Sequence, residues 1–140
     1  MRKNSQRDRW SKPKLWAECA AKFQRLRRLQ EADSNGICTC VTCGKRKHFS
    51  EMEGGHFISR LRKSVLLDPL NVHPQCNACN QHKNGNAAEF AIYMVKRYGE
   101  DQVDFLRTKS WKIANISRGD LMEVYEKICD ELTIAEKRFK

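Results

Sequence analysis

From Ser11 onward the apolar positions recur at helical spacing, with Leu15, Cys19, Phe23, Leu26 and Leu29 or Gln30 on one stripe. Ser11 stands where an N-cap belongs, Pro13 falls in the first turn, and Asp33-Ser34-Asn35-Gly36 ends the run. This predicts an amphipathic helix whose exposed side carries Lys22, Arg25, Arg27 and Arg28. The period then changes. Glu53 to Arg60, entered through Gly54 and Gly55, reads as a strand, and Asn71 to Gln75 as a short second one in which Asn71 and His73 share a face. Pro74 limits that strand to an edge. Between the strands, a basic loop with Arg60, Arg62 and Lys63 leads to the apolar run Val65-Leu66-Leu67, broken by Asp68-Pro69. Ala87 to Tyr98 is a predicted helix with Phe90, Tyr93 or Met94, and Tyr98 apolar, stopped by Gly99. Val103, Phe105 and Leu106 read as a short turn. Ser117-Arg118-Gly119-Asp120 resembles a capping box opening a last helix, with Leu121, Val124, Tyr125, Ile128, Leu132 and Ala135 as its apolar stripe. These stripes suit core or dimer contact.

The pattern describes a small α+β protein. It divides into a basic arm (1–14), a basic helix (15–36), a central module (37–99) and a C-terminal helical region (100–140), within one compact domain.

Cysteine spacing adds chemistry to the central module. Cys40 with Cys43, and Cys76 with Cys79, are two Cys-x-x-Cys turns, each tight enough to aim two sulfurs at one ion. Together they complete a tetrahedral structural zinc shell and staple the strands to a helix opening at the second pair. Cys38 offers an alternative ligand, but Gly44 directly after Cys43 suits the turn of the Cys40–Cys43 knuckle. Cys19 and Cys129 lie on or beside apolar stripes and read as packing residues.

The chain has 27 Lys plus Arg against 17 Asp plus Glu, a net charge of +10 and a pI near 9.5. This favours a polyanionic partner, first of all nucleic acid, with a basic scaffold surface as the alternative. Arg2, Lys3, Arg7, Arg9, Lys12 and Lys14 make residues 1–14 either an arm that orders on phosphate or a solubilising tail. There is no signal-type apolar segment and no membrane-length apolar run. Seven cysteines in such a chain point to thiols and metal in a reducing cytoplasm rather than to disulfides.

Four segments carry a resemblance: Cys40-Val41-Thr42-Cys43-Gly44, Gly55-His56-Phe57, Asn71-Val72-His73-Pro74-Gln75-Cys76, and Cys79-Asn80-Gln81-His82-Lys83-Asn84-Gly85-Asn86. Their order resembles the His-Me finger, or HNH, nucleases. The four-cysteine zinc site with Asn80 after the last cysteine resembles phage endonuclease VII, and the set as a whole is most similar to the phage NinG and Rap recombination nucleases. The resemblance implies a zinc-stapled ββα module that hydrolyses DNA phosphodiesters with Mg²⁺ or Mn²⁺. Its substrates would be branched recombination intermediates such as Holliday junctions and D-loops. It further implies a phage or prophage protein in the host cytoplasm with a phage recombinase as partner, and since a junction is two-fold related, paired cuts favour a homodimer formed through the terminal helices.

By the same resemblance His56 is the general base, Asn71 holds the loop beside it, and Asn80 offers its amide oxygen to the catalytic cation. Read from the residues alone, Asn71 equally fits an Asx turn after Asp68-Pro69, and Asn80 a helix cap. Arg60, Arg62, Lys63 and Lys83 are placed to bind flanking phosphate. The pattern is broken at one point, since an acidic residue normally precedes the base and this chain has Gly55. Glu53 is the favoured replacement because hard cations prefer carboxylate, with His73 or His82 as nitrogen alternatives. A decayed site would leave a non-catalytic zinc-ribbon DNA-binding protein, and lack of branch preference a general HNH nicking enzyme.

Overall fold

A computed structural model describes residues 6–140 of the chain. It is a mixed α+β structure, as the sequence implies, in which a short hairpin lies between two layers of helices. Helix α1 (Lys12–Glu31) starts at Ser11, whose hydroxyl accepts from the Lys14 N–H at 3.2 Å. It buries Leu15, Cys19, Phe23, Leu26 and Leu29. Strands β1 (Ile37–Thr39) and β2 (Arg46–His48) form a first antiparallel hairpin around the Cys40–Cys43 turn. Strand β3 (Glu53–His56) pairs with β4 (Val72–Gln75), with Glu53 opposite Gln75, Gly55 opposite His73 and His56 opposite Val72. The one-turn helix α2 (Lys63–Leu66) lies between them in sequence. Helices α3 (Ala87–Tyr98), α4 (Glu100–Ser110) and α5 (Arg118–Glu136) complete the fold.

The main core joins the stripes of α1 and α5 with Cys38, Phe49, Met52 and Val72. The two terminal-helix stripes therefore face each other within one chain. A second core of Val65, Phe90, Met94, Val103 and Leu106 joins α2, α3 and α4. Close approach of α1 to the β3–β4 hairpin depends on Gly54, where a Cβ would come within 2.7 Å of the Gln24 side chain.

Several expectations need correction. The basic face of α1 is largely committed to internal contacts. Arg27 is buried, donating to the Val72 carbonyl at 3.0 Å, to Gln30 and to Glu31, while Arg28 donates to the carbonyls of Phe49 and Met52. Guanidinium is well suited to this, because its planar fork serves several acceptors at once. The arm is not free from Arg7 onward: Arg7–Arg9 form a 3₁₀ turn, and Arg118 holds the Arg7, Asp8 and Trp10 carbonyls. Residues 1–5 of that arm lie outside the described residues. The turn expected around Val103 and Leu106 is helix α4, since Gly99 at φ 85° ends α3 and leads directly into a first turn with Glu100 and Asp101. The first strand stops at His56 instead of reaching Arg60. The helix expected from Cys79 is only a π-helical turn, Ala78–His82, parted from α3 by Asn84, Gly85 and Asn86 at positive φ.

Candidate metal centre and active site

The two cysteine pairs converge. The Sγ atoms of Cys40, Cys43, Cys76 and Cys79 all lie within 4.8 Å of one another, and Cys43 and Cys76 are 3.7 Å apart. Four sulfurs at about 2.3 Å around a tetrahedral ion stand about 3.8 Å apart, so this cluster can hold zinc. Its protonation chemistry agrees. Against the effect of burial, the Thr42 hydroxyl and backbone N–H groups of Cys76, Thr42 and Cys43 bring the Cys40 thiol down to about 6. Cys43, although helped by the Lys45 N–H, is pushed up to about 12 by desolvation and the neighbouring sulfurs. One thiolate is welcome there, whereas four require a cation. Cys38 is no ligand: its sulfur is buried in the main core, donating to the Arg28 carbonyl at 3.2 Å. Cys19 is likewise core, and Cys129 packs at its edge.

Beside the cluster, Glu53 projects from the start of β3 toward the π-helical turn. Its carboxylate accepts from the side-chain amides of Asn77 at 2.6 Å, Asn80 at 2.8 Å and Gln81 at 2.8 Å. Despite some desolvation, these three donors and the Arg28 charge hold its pKa below the usual carboxylate value. The three amides turn their NH₂ groups to the carboxylate, so a hard divalent cation shared by Glu53 and Asn80 requires the Asn80 amide to rotate and present Oδ1 instead. Glu53 and Gly55 share a face by the two-residue alternation of the strand. Glu53 therefore occupies the side of β3 from which an acidic residue at Gly55 would project.

Gly55 itself has no room for a side chain. A Cβ there would come 1.9 Å from Gln75 Oε1, and fully buried Gln75 is fixed by donating to Thr42 Oγ1 at 3.1 Å and the Gly85 carbonyl at 2.8 Å. Gly55→Ala is expected to break both bonds and destabilise the protein by about 2–4 kcal/mol. In a double-mutant cycle read by urea unfolding, adding Gln75→Ala should cost much less than the sum of the single changes; full additivity would show that the two residues do not compete for this space.

His56, at the far end of β3, approaches the Leu66 carbonyl through Nε2 at 3.3 Å. A carbonyl can only accept, so this contact protonates Nε2 and leaves the lone pair of the neutral ring on Nδ1, which is buried and has no hydrogen-bond partner among the described residues, so that a water reaches it only when the ring or the loop beside it shifts. Burial, with the nearby Arg60 charge, brings its pKa down to about 4. Leu66 also lines an open groove of about 370 Å³ with Trp16, Ala17, Ala20, Gln24, Arg60 and Lys63, in which Arg60 and Lys63 supply the charge. Asn71 is fully buried. Its Oδ1 accepts from the Ile58 N–H at 2.7 Å and its Nδ2 donates to the Ile58 and Val65 carbonyls at 3.1 Å each, fixing the loop that follows His56. The Asx turn considered for Asn71 belongs to Asp68, which accepts from the Leu70 N–H.

Other predicted residues lie apart. His73 is engaged away from Glu53: it is buried against Phe90, Tyr93 and Tyr98, with Nε2 2.7 Å from Tyr98 Oη and a pKa brought down to about 3 chiefly by burial. His82 and Lys83 are exposed at the end of the π-helical turn. Among the described residues, no histidine joins Glu53 in a cluster of metal-ligating groups. Arg60 and Lys63 border the groove, while Arg62 stacks 3.8 Å above the Trp111 ring. Gln75, Asn77, Gln81 and Leu66 carry no signal of their roles in the sequence, because each acts through a partner at least ten residues away along the chain.

A family model described as Bacteriophage Lambda NinG protein matches residues 1–138. Proteins called Protein ninG from Escherichia phage 933W and Salmonella phage P22 are each 33% identical over 66 residues, and that of Escherichia phage lambda 32%. Each match covers 46% of this chain and 32% of the relative, so the chain spans about a third of the length of the curated relatives it matches. No solved structure matches.

Proposed function

Because the chain belongs to the bacteriophage NinG family, we propose that it is a metal-dependent DNA endonuclease of the His-Me finger type, directed at branched recombination intermediates. The observation that carries this reading is the Glu53–Asn80 contact of 2.8 Å on the strand that ends in His56. In the family pattern acid and base are consecutive and so face opposite sides of the strand. Glu53 and His56, an odd number of positions apart, keep that relation.

In this reading Glu53 and, once its amide has turned, Oδ1 of Asn80 would hold Mg²⁺ or Mn²⁺, which would supply charge stabilisation at the phosphate and the leaving 3′-oxygen. His56 takes the proton from the attacking water, with the Leu66 carbonyl orienting its ring and Asn71 fixing the adjoining loop. The four cysteines hold a zinc that leaves no coordination position open and serves structure alone. Arg60, Lys63 and, farther along, Lys83 contact flanking phosphates. A four-way junction is two-fold related, so paired cuts call for two copies of the chain. The α1 and α5 stripes are paired internally, which leaves such a dimer to other surfaces.

The test is cleavage of a labelled four-way junction beside linear duplex of the same sequence, with Mg²⁺, with Mn²⁺ and with neither. Metal-dependent cutting that prefers the junction is expected. Glu53→Gln should lower the rate by about a hundredfold or more and shift the metal requirement upward, since a charged ligand is lost. An unchanged metal titration for this variant would remove Glu53 from the cation site. DNA binding without cutting under every condition would leave the zinc-ribbon binding reading instead.

A further inference from the structure

The loop after His56 and the segment that ends α4 lie side by side, joined through Arg62 and Trp111 and through Ser64 and Lys109, and both expose large apolar side chains. Leu61 is 88% exposed, Trp111 70% and Ile113 92%. Their placement is fixed from beneath. Arg62 stacks on Trp111, Ser64 Oγ donates to the Lys109 carbonyl at 2.9 Å, Arg107 lies 5.5 Å over the Phe57 ring, and Asn71 pins the same loop. Exposed apolar groups of this size mark a contact surface.

The surrounding charge identifies the partner. Neither 54–67 nor 105–119 contains an Asp or Glu, whereas Arg60, Arg62, Lys63, Arg107, Lys109 and Lys112 all lie within them. Asp68 offsets only Lys109, at 2.8 Å. A second copy docking on this patch across a two-fold axis would bring like charges together, so self-association is disfavoured. Polyphosphate with accessible base faces suits both features, because aromatic and guanidinium groups stack on bases while the flanking cations take phosphates.

We infer that Leu61, Trp111 and Ile113 form a wedge that stacks against unpaired bases at a DNA branch point, with Arg62 backing the indole and the flanking cations holding the backbone. This rests on the DNA nuclease reading and deepens it by naming what recognises the branch. The Asn71-pinned loop joins the wedge directly to His56, so the opened bases would lie close to the phosphate to be cut.

The test uses the full chain without added divalent cation, on four-way junctions carrying 2-aminopurine at the branch point or in mid-arm, beside linear duplex. Wild type should brighten the branch-point probe and leave the mid-arm probe unchanged. The double variant Leu61→Ala/Trp111→Ala should lose that signal and bind the junction roughly tenfold or more weakly, with duplex affinity changed less than about twofold, and Trp111→Phe should restore much of both. All three side chains are exposed, so folding should be preserved, and circular dichroism checks this. An unchanged branch signal in the double variant, or equal losses on junction and duplex, overturns the wedge. A change of oligomeric state on substitution overturns it in favour of a self-association patch. Branch opening by a protein that never cuts when Mg²⁺ or Mn²⁺ is added supports the wedge and removes the nuclease reading; cutting with a silent branch-point probe does the reverse.

Discussion

His56→Ala is expected to lower DNA cleavage by about 10²–10⁴-fold while leaving DNA binding and zinc content unchanged, the range typical of removing a general base. The pH profile distinguishes this role from a structural one. Burial and Arg60 hold the imidazole at about 4, so in the free protein the base remains unprotonated well below the ordinary histidine value. Between pH 8 and 6, kcat/KM should therefore show no loss assignable to an imidazole. A half-loss near 6.5 would mean that an unperturbed group is the base. The linkage to stability has a definite sign. A histidine depressed on folding binds fewer protons in the native state than in the unfolded chain, so its neutral burial contributes fully above about 6.5 and is lost as pH falls through the folded value. His56 at about 4 and His73 at about 3 act in the same direction, so unfolding free energy should decline from about pH 6.5 downward. His56→Ala should flatten part of that slope. Cleavage retained near the wild-type rate by the alanine variant would remove His56 from the mechanism whatever the stability profile shows.

What the sequence made legible was local. The α1 stripe from Leu15 to Leu29 and its Ser11 cap depend on spacings of three and four, and both appear where the periodicity places them. The Ser117 cap and the stripe of α5 follow the same logic. The cysteine cluster was legible because each half is a four-residue turn and one ion must satisfy both. Illegible features were those decided by a distant partner. Arg27 reads as surface until the Val72 carbonyl, 45 residues on, receives its guanidinium. His73 reads as a ligand until Phe90, Tyr93 and Tyr98 of α3 enclose it. Gly55 reads as a missing acid until Gln75 is seen filling the space where that acid would stand. Only the pairing of β3 with β4 makes that displacement visible.

The second large effect concerns the zinc cluster. The first cysteine pair lies at the tip of the β1–β2 hairpin, and the second runs from the residue after β4 into the π-helical turn, where Cys79 precedes the Asn80 and Gln81 that, with Asn77, meet Glu53. Apart from the cysteines, the polar links across this junction among the described residues are few: Thr42 Oγ1 accepts from Gln75 Nε2 at 3.1 Å, and the Val41 N–H donates to the Pro74 carbonyl at 3.1 Å. Three of the four sulfurs are buried, so removing the ion would leave thiols crowded in low dielectric with no cation to accept their charge. Cys79→Ser, or chelation of the wild type, should therefore cost about 5 kcal/mol or more, lower Tm by about 15 °C or more, and abolish cleavage with the loss of the Glu53–Asn80 arrangement. Cys38→Ser supplies the contrast. It should destabilise through its core position while metal analysis still finds one zinc per chain, because its sulfur faces the Arg28 carbonyl and not the cluster. Loss of zinc from the Cys38 variant, or an unchanged Tm on full zinc removal, would show that the four-thiol staple does not hold the two halves of this site together.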